Sequence, residues 1–157
     1  MPGHETARAG EARQSRMIDE RLDTPSLLRH ALDAIQGARD VEAVHLLKRV
    51  LEREPDNLHA QYLLAIQHAQ LGLFERAEER LRALLAVVPE FVVARFQLAQ
   101  LLVMRGTVKD AREWLQPVLV QADPLGAYAR GLLAAAEGDR DGARAAIEAA
   151  LRLPQPV

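Results

Sequence analysis

The sequence predicts an all-α protein built from repeated helical hairpins, and three observations support this fold class. Aromatic residues make up 4% of the 157 residues, while Ala, Leu, Arg and Glu dominate, a composition that favours helices over strands. Small residues recur at a regular interval of about 34 residues, which suits a helix-turn-helix repeat. Glycine or proline stands where each predicted helix ends.

A column of alanines shows the repeat. Ala43, Ala77 and Ala111 are evenly spaced, and Ala143 follows after a slightly shorter interval; we call these four the anchor alanines. Twelve residues before each anchor alanine stands another small residue, and four and seven residues after it stand apolar residues, as expected for a helix that buries one face. The sequence therefore predicts four repeats, at about 24–57, 58–91, 92–123 and 124–155.

Each repeat is predicted to form two helices joined by a turn. In the first repeat, Thr24-Pro25 is a typical helix start, with proline at the first helical position, and the helix is expected to end near Gln36. The second helix is expected from about Val41 to Glu54, where Pro55 ends it. Turn glycines stand at the equivalent places of the later repeats, namely Gly72, Gly106 and Gly138.

With these columns in place, the sequence resembles the tetratricopeptide repeats. The repeat interval, the small residues Ala65, Ala99 and Gly131, the turn glycines, the anchor alanines and the closing prolines all match that family's pattern, most closely over 72–90 and 138–154. The resemblance implies a right-handed α-solenoid of about four stacked hairpins over residues 24–157, which binds other proteins. The sequence departs from the family where a large aromatic is usual, at Leu27, Gln61, Arg95 and Ala127.

The first 23 residues lie outside the repeats and are expected to form a polar, flexible tail. No apolar run approaches the length that crosses a bilayer, and the N-terminus has no hydrophobic segment typical of a secretory signal, so we expect a cytoplasmic protein without membrane insertion. The net charge of −2 argues against binding to nucleic acid.

No constellation of catalytic or metal-binding residues is present in the sequence. The chain has no cysteine, its five histidines include no pair four residues apart, and its glycines are not clustered into a phosphate-binding loop. His68 is expected to lie in the core. We therefore expect no catalytic residue, no metal and no cofactor, and a protein that is not an enzyme.

Three further columns indicate a candidate binding groove. Residues fifteen, eleven and eight positions before the anchor alanines are separated by four and seven residues, which places them on one face of each first helix, and the resemblance implies that this face is concave. The face is apolar except for one glutamine, which favours an apolar peptide over a peptide's terminal carboxylate. The candidate groove residues are Leu28, Leu32, Ile35, Tyr62, Ile66, Phe96, Gln100, Val103, Tyr128 and Leu132. Two alternatives stay open: these residues belong to the core, or residues 11–23 cover them.

The last predicted helix offers a second candidate surface. Ile147, Ala150, Leu151 and Leu153 are expected to leave an apolar end face on the final repeat. Two functions follow. The first is an adaptor or co-chaperone that binds a protein or peptide in its groove, in the manner of secretion chaperones. The alternative is a self-assembling scaffold, in the simplest case a homodimer, joined through this end face.

Overall fold

The computed structural model describes residues 3–154, without the side chains of residues 3, 4 and 14–20. Over this range the chain forms nine α-helices and no strand. The helices are α1 (Gly3–Arg21), α2 (Thr24–Gln36), α3 (Asp40–Arg53), α4 (Leu58–Gln70), α5 (Phe74–Val87), α6 (Val92–Met104), α7 (Val108–Leu119), α8 (Pro124–Ala136) and α9 (Arg140–Arg152). The predicted all-α class is confirmed.

Side-chain caps begin several of these helices. Asp23 Oδ1 accepts a hydrogen bond from the Ser26 backbone N–H at 2.8 Å, so Asp23 rather than the predicted Thr24 caps α2. Hydrogen bonds from the side chain and backbone of Ser26 also lower the pKa of Asp23. Asn57 and Asp123 cap α4 and α8 in the same way, at 2.9 and 2.8 Å. Each cap satisfies a backbone donor that the first helical turn leaves open.

The turn inside each hairpin needs a left-handed residue. Gly72, Gly106 and Gly138 have φ values of 75°, 82° and 83°, which glycine adopts without strain. In the first hairpin the turn contains Gly37 and Ala38; Gly37 has φ −82°, and the left-handed residue is Ala38, at 54°. The conformation therefore follows the repeat position even where the glycine has moved by one residue.

The chain divides into two compact units, Met1–Leu73 and Phe74–Val157. In the first unit α3 packs against both α2 and α4, and one hydrophobic cluster joins the three helices. In the second unit α6 packs against α5 and α7, α7 also packs against α8, and α8 forms a hairpin with α9; α6 also contacts α8 directly.

The predicted packing columns form the cores of the two units. Of the anchor alanines, Ala43, Ala77 and Ala111 are fully buried and Ala143 is nearly so. The small residues twelve positions earlier are also buried, because paired helices approach each other most closely where side chains are small. These small residues are Ala31, Ala65, Ala99 and Gly131.

Helix α1 occupies the segment where the sequence analysis expects a flexible tail. The helix spans Gly3–Arg21, and residues 5–13 are all exposed. The Arg53 guanidinium at the end of α3 donates a hydrogen bond to the carbonyl oxygen of Leu22, directly after α1. The structure thus gives this segment helical conformation, and its mobility stays a prediction.

Candidate functional site

In the first unit, the candidate groove residues are all half-buried. Leu28, Leu32 and Ile35 lie on α2, and Tyr62 and Ile66 lie on α4. Leu28 and Ile35 pack against the hydrophobic cluster of this unit, so part of each side chain belongs to the core. None of the five is fully buried. In this unit the candidate groove residues therefore contribute both to the packing between helices and to the solvent-facing surface.

In the second unit, the candidate residues lie on two helices that contact each other. Phe96, Gln100 and Val103 lie on α6 and are half-buried, and Leu132 on α8 is half-buried too. Tyr128 on α8 counts among the exposed large hydrophobic side chains. Residues separated by four and seven positions share one side of a helix, and α6 and α8 are in contact. We call the solvent-facing side chains on this side of the helix pair the α6–α8 face.

The sequence analysis missed two residues of the α6–α8 face. Val93 and Met104 are exposed, Met104 to 66%, and each lies three or four residues from Phe96 or Gln100 on the same side of α6. The signal that could have found them is the composition of α6, whose apolar residues are spread around the helix instead of forming one stripe. An apolar helix of this kind is usually buried all round, whereas only one side of α6 is buried.

No charged side chain lies on the α6–α8 face. Each of the two helices contains one charged residue, Arg95 or Arg130, on the side away from this face. Arg95 Nε donates to the carbonyl oxygen of Pro89 at 2.6 Å, and its guanidinium lies 5.5 Å from the centre of the Trp114 ring. The Arg130 guanidinium donates to the carbonyl oxygen of Leu119 at 2.7 Å. The side chains that the two helices contribute to the face are therefore uncharged, with polar groups only from glutamine and tyrosine.

The predicted end face on α9 is smaller than expected. Ile147 is 46% exposed, Leu151 is 68% exposed, and Leu153 is partly exposed. Ala150, which the sequence analysis placed on this face, is fully buried. Its position seven residues after Ala143 turns it toward α8, like the buried valine and leucine at the same place in the earlier repeats.

The described residues contain no cluster suited to metal binding. No group of three or more His, Cys, Asp or Glu side chains converges there. His68 is buried, as predicted. A shallow depression of about 310 Å³ lies between α7 and α8, but its charges are already engaged. Arg112 pairs with Glu137, Arg130 binds backbone carbonyls, and Asp139 caps α9.

Within residues 3–154, none of the helices combines the length and the hydropathy needed to cross a lipid bilayer.

Comparison with known families gives one clear match. The family profile described as "Tetratricopeptide repeat" matches residues 41–90 and 70–136, which together span more than half of the chain. Among curated proteins, the chain is 33% identical over 87 residues to a surface lipoprotein assembly modifier of Moraxella catarrhalis. It is 40% identical over 63 residues to an FK506-binding protein-like protein of Rattus norvegicus.

These curated relatives are much longer than the matched stretch. The matches span 53% and 40% of this chain but only 17% and 18% of the two relatives. The chain thus spans under a fifth of the length of the curated relatives it matches.

Solved structures with a similar fold are also tetratricopeptide-type. The chain aligns with a thermophilic TPR protein of Thermus thermophilus at a TM-score of 0.74 and 26% identity, over 83% of this chain and 74% of that one. It aligns with MamA of Desulfovibrio magneticus at a TM-score of 0.67 and 22% identity, over 83% and 75% of the two chains. The second likeness concerns the fold alone.

Proposed function

The chain belongs to the tetratricopeptide-repeat family. We propose that it is a non-catalytic adaptor that binds an apolar segment of another protein, and that the segment binds to the solvent-facing side of the first helix in each hairpin. Tetratricopeptide-repeat proteins are generally non-catalytic scaffolds, and their fold supports binding to protein partners. The proposal rests on one observation, the apolar composition of the exposed side of α6.

The exposed side of α6 is better explained by binding than by packing. Phe96, Val93 and Met104 do not contribute fully to the core, because each keeps part of its surface in water. Polar residues in place of the exposed Val93 and Met104 would leave the buried side of α6 unchanged. Exposed apolar surface of this kind is typical of an interaction site.

Half-burial limits the affinity that the α6–α8 face can provide. Full burial of a large apolar side chain stabilises a complex by about 1.5–3 kcal/mol, so a half-buried one adds about 1 kcal/mol. Six side chains, half-buried or exposed, would at about 1 kcal/mol each give about 6 kcal/mol, or a dissociation constant of roughly 40 μM before ordering costs. We therefore propose weak, reversible binding by this unit. The six side chains are Val93, Phe96, Val103, Met104, Tyr128 and Leu132.

The absence of charged side chains on the α6–α8 face indicates which kind of partner segment it would bind. An uncharged face offers no ion pair to offset the desolvation of a charged partner, so an uncharged apolar segment fits best. The amide of Gln100 and the hydroxyl of Tyr128 are the polar groups available to orient the partner's backbone. Binding should change little with salt concentration, because screening acts on charges.

We also propose a more specific role, as a chaperone-like factor that holds polypeptides during their secretion or assembly. This role is supported by the apolar face and by the similarity to a protein named for surface lipoprotein assembly. A weak, sequence-tolerant apolar face suits a factor that must release what it holds. We further propose that the protein acts in the cytoplasm and that residues 24–157 form its repeat domain.

The test compares two neighbouring substitutions on opposite sides of α6. Phe96→Ala should reduce retention of immobilised uncharged apolar peptides about fivefold and should destabilise the protein much less than a fully buried substitution, because Phe96 is only half-buried. Leu98→Ala, at a fully buried position, should instead destabilise the protein by about 2–5 kcal/mol. Val120→Ala removes an apolar side chain that is 84% exposed outside the face, and should alter neither property.

Two results would contradict the proposal. If Phe96→Ala unfolds the protein as readily as Leu98→Ala, Phe96 belongs to the core. If charged peptides are retained as well as apolar ones, or if high salt releases the apolar ones, the neutrality of the face does not determine the partner.

The alternative function is a self-assembling scaffold that uses the end face on α9. The exposure of Ile147 and Leu151 favours it. Light scattering over a concentration series separates the two functions. A protein that stays monomeric at all concentrations and still retains apolar peptides is an adaptor, whereas a mass that doubles with concentration indicates self-assembly.

A further inference from the structure

Helix α6 needs more than apolar packing to fix its rotation about its own axis. In α7 the buried residues Ala111, Leu115 and Val118 form one stripe opposite a polar side, so only the stripe can pack inward. In α6 apolar residues stand both on the buried side, such as Leu98, and on the exposed side, such as Val93. Burial of apolar surface alone therefore does not determine which side of α6 faces solvent.

Arg95 links the first half of α6 to two neighbouring segments. It stands three residues before the buried Leu98, on the side away from the α6–α8 face. Its Nε donates to the carbonyl oxygen of Pro89 at 2.6 Å, and its Nη1 donates to the carbonyl oxygen of Trp114 at 3.2 Å. The same guanidinium lies 5.5 Å from the centre of the Trp114 ring, within the range of a cation–π interaction. One side chain thus connects α6 to the loop before it and to α7.

Further contacts connect the Trp114 side chain to the other end of α6. Arg82 on α5 lies 5.7 Å from the centre of the Trp114 ring, and its Nε donates to Glu78 Oε1 at 3.0 Å. The other carboxylate oxygen of Glu78 pairs with Arg105, the C-cap residue of α6. The contacts that leave α6 at Arg95 therefore return to it at Arg105. We call Arg95, Trp114, Arg82, Glu78 and Arg105 the α6 network.

The two arginines at the ends of the α6 network lie on the buried side of the helix. Arg105 stands four residues after the buried Leu101, as Arg95 stands three residues before the buried Leu98. The side chain of Glu78 is only 13% exposed, so water and salt screen its two ion pairs less than those of a surface carboxylate. Because hydrogen bonds and ion pairs are directional and apolar burial is not, these contacts favour one rotation of α6.

We propose that the α6 network holds α6 in the rotation that turns the side bearing Phe96 and Met104 toward solvent. Arg95 and Arg105 are then positioning residues for binding, which act through the helix and touch no partner. This inference rests on the proposed function of the α6–α8 face and adds that polar contacts on the opposite side of α6 maintain that face.

Thiol labelling measures the rotation of α6 without any ligand, because the chain has no cysteine of its own. Leu101→Cys reports on α6 and Leu133→Cys on α8; both leucines stand ten residues before an anchor alanine, and they are 6% and 4% exposed. Arg95→Met keeps an unbranched side chain but removes the charge and every hydrogen-bond donor. We expect it to raise the labelling rate at residue 101 about tenfold and to change the rate at residue 133 by less than about twofold.

A second variant tests the other end of α6. Arg105→Met changes a side chain that is 52% exposed, and it should raise the labelling rate at residue 101 about threefold. Combined with Arg95→Met, it should have less effect than the product of the two single effects, because both arginines act through one network. The matched control Arg112→Met removes the ion pair between Arg112 and Glu137, which lies outside the network, and should leave the labelling rate at residue 101 unchanged.

Three labelling results would overturn the proposal. Equal increases at residues 101 and 133 would indicate a loss of overall stability instead of a rotation of α6. Unchanged labelling at residue 101 in both arginine variants would show that apolar packing alone fixes the helix. Strictly multiplicative effects in the double variant would show that the two arginines act separately.

Retention of apolar peptides is the second readout. Arg95→Met should lower it about threefold, although Arg95 lies away from the α6–α8 face; unchanged retention together with faster labelling at residue 101 would refute the positioning role. A wild-type chain that retains no apolar peptide contradicts the proposed function, whereas the labelling rates, which need no peptide, decide whether the network fixes α6.

Discussion

Two glycines on α8 should respond in opposite ways to the same substitution by alanine. At Gly126, a Cβ would lie 2.1 Å from the carbonyl oxygen of Gln121 and 3.1 Å from that of Val118. Both neighbours are backbone atoms, which cannot rotate away. At Gly131, the nearest atom to a Cβ is the Ala146 methyl at 3.4 Å, which is ordinary van der Waals contact.

The distances from each added Cβ to its neighbours determine the expected change in the free energy of unfolding. The Cβ of Gly126→Ala, at 2.1 Å from the Gln121 oxygen, would lie far inside the 3.4 Å at which ordinary contact begins, so α8 must move away from the end of α7. Overpacking of this kind costs about 1–3 kcal/mol or more, against a helix-propensity gain of about 0.5–1 kcal/mol. We expect Gly126→Ala to destabilise the second unit by about 2 kcal/mol. Gly131→Ala gives the same gain in helix propensity without a steric clash, and should stabilise the second unit by about 0.5–1 kcal/mol.

Urea unfolding followed by tryptophan fluorescence measures both variants. Trp114 is the only tryptophan of the chain and lies on α7, which packs against α8, so its emission reports on the second unit. With a typical urea dependence, a change of about 2 kcal/mol moves the midpoint by about 1 M. Equal effects of the two substitutions, or a stabilising Gly126→Ala, would refute the argument that close backbone approach requires glycine at residue 126.

Three further substitutions test other parts of the structure. Burial alone would raise the pKa of Glu78, but hydrogen bonds from Arg82 and Arg105 outweigh it and lower the pKa below the ordinary 4.5. Its stabilisation is therefore present above pH 4.5 and lost as the pH falls further, and Glu78→Gln should remove this part of the pH dependence of the urea midpoint. Ala77→Leu should destabilise the second unit by about 1–3 kcal/mol in the same assay, because Ala77 is fully buried; no loss would mean that the hairpin has room there. Ala38→Gly should raise the melting temperature by calorimetry, since it relieves a left-handed alanine worth about 1 kcal/mol; an unchanged or lower value would contradict this.

The fold could be predicted from the sequence because its signals are local and repeated. Small residues at a fixed spacing determine where helices approach, and each occurrence supports the others. The boundaries of α2 and α3 lie within one residue of the prediction, since Asp23, Pro25 and Pro55 act on the adjacent backbone. The conformation of Ala38 shows that the repeat position determines the turn even without its glycine.

The candidate site was predicted only in part, because exposure depends on what packs from outside the helix. The spacing from the anchor alanines located the candidate groove residues Phe96 and Tyr128. Val93 and Met104 were missed because no column of the repeat includes them. Ala150 was assigned to the end face from its apolar character alone, although its register with the buried residues of earlier repeats predicts that it faces α8. Helix α1 was missed because its polar composition contains no apolar period.

The ion pairs of the second unit also limit the order in which its helical hairpins can follow one another in the chain. Moving the last hairpin to follow α5 would set Glu137 beside Glu78, and moving the preceding hairpin to follow α7 would set Arg105 beside Arg112. Like charges in contact oppose each exchange. Unequal crossover between these repeats would therefore replace an ion pair with a repulsion of up to about 1 kcal/mol, so charge as well as apolar packing limits the order of the hairpins.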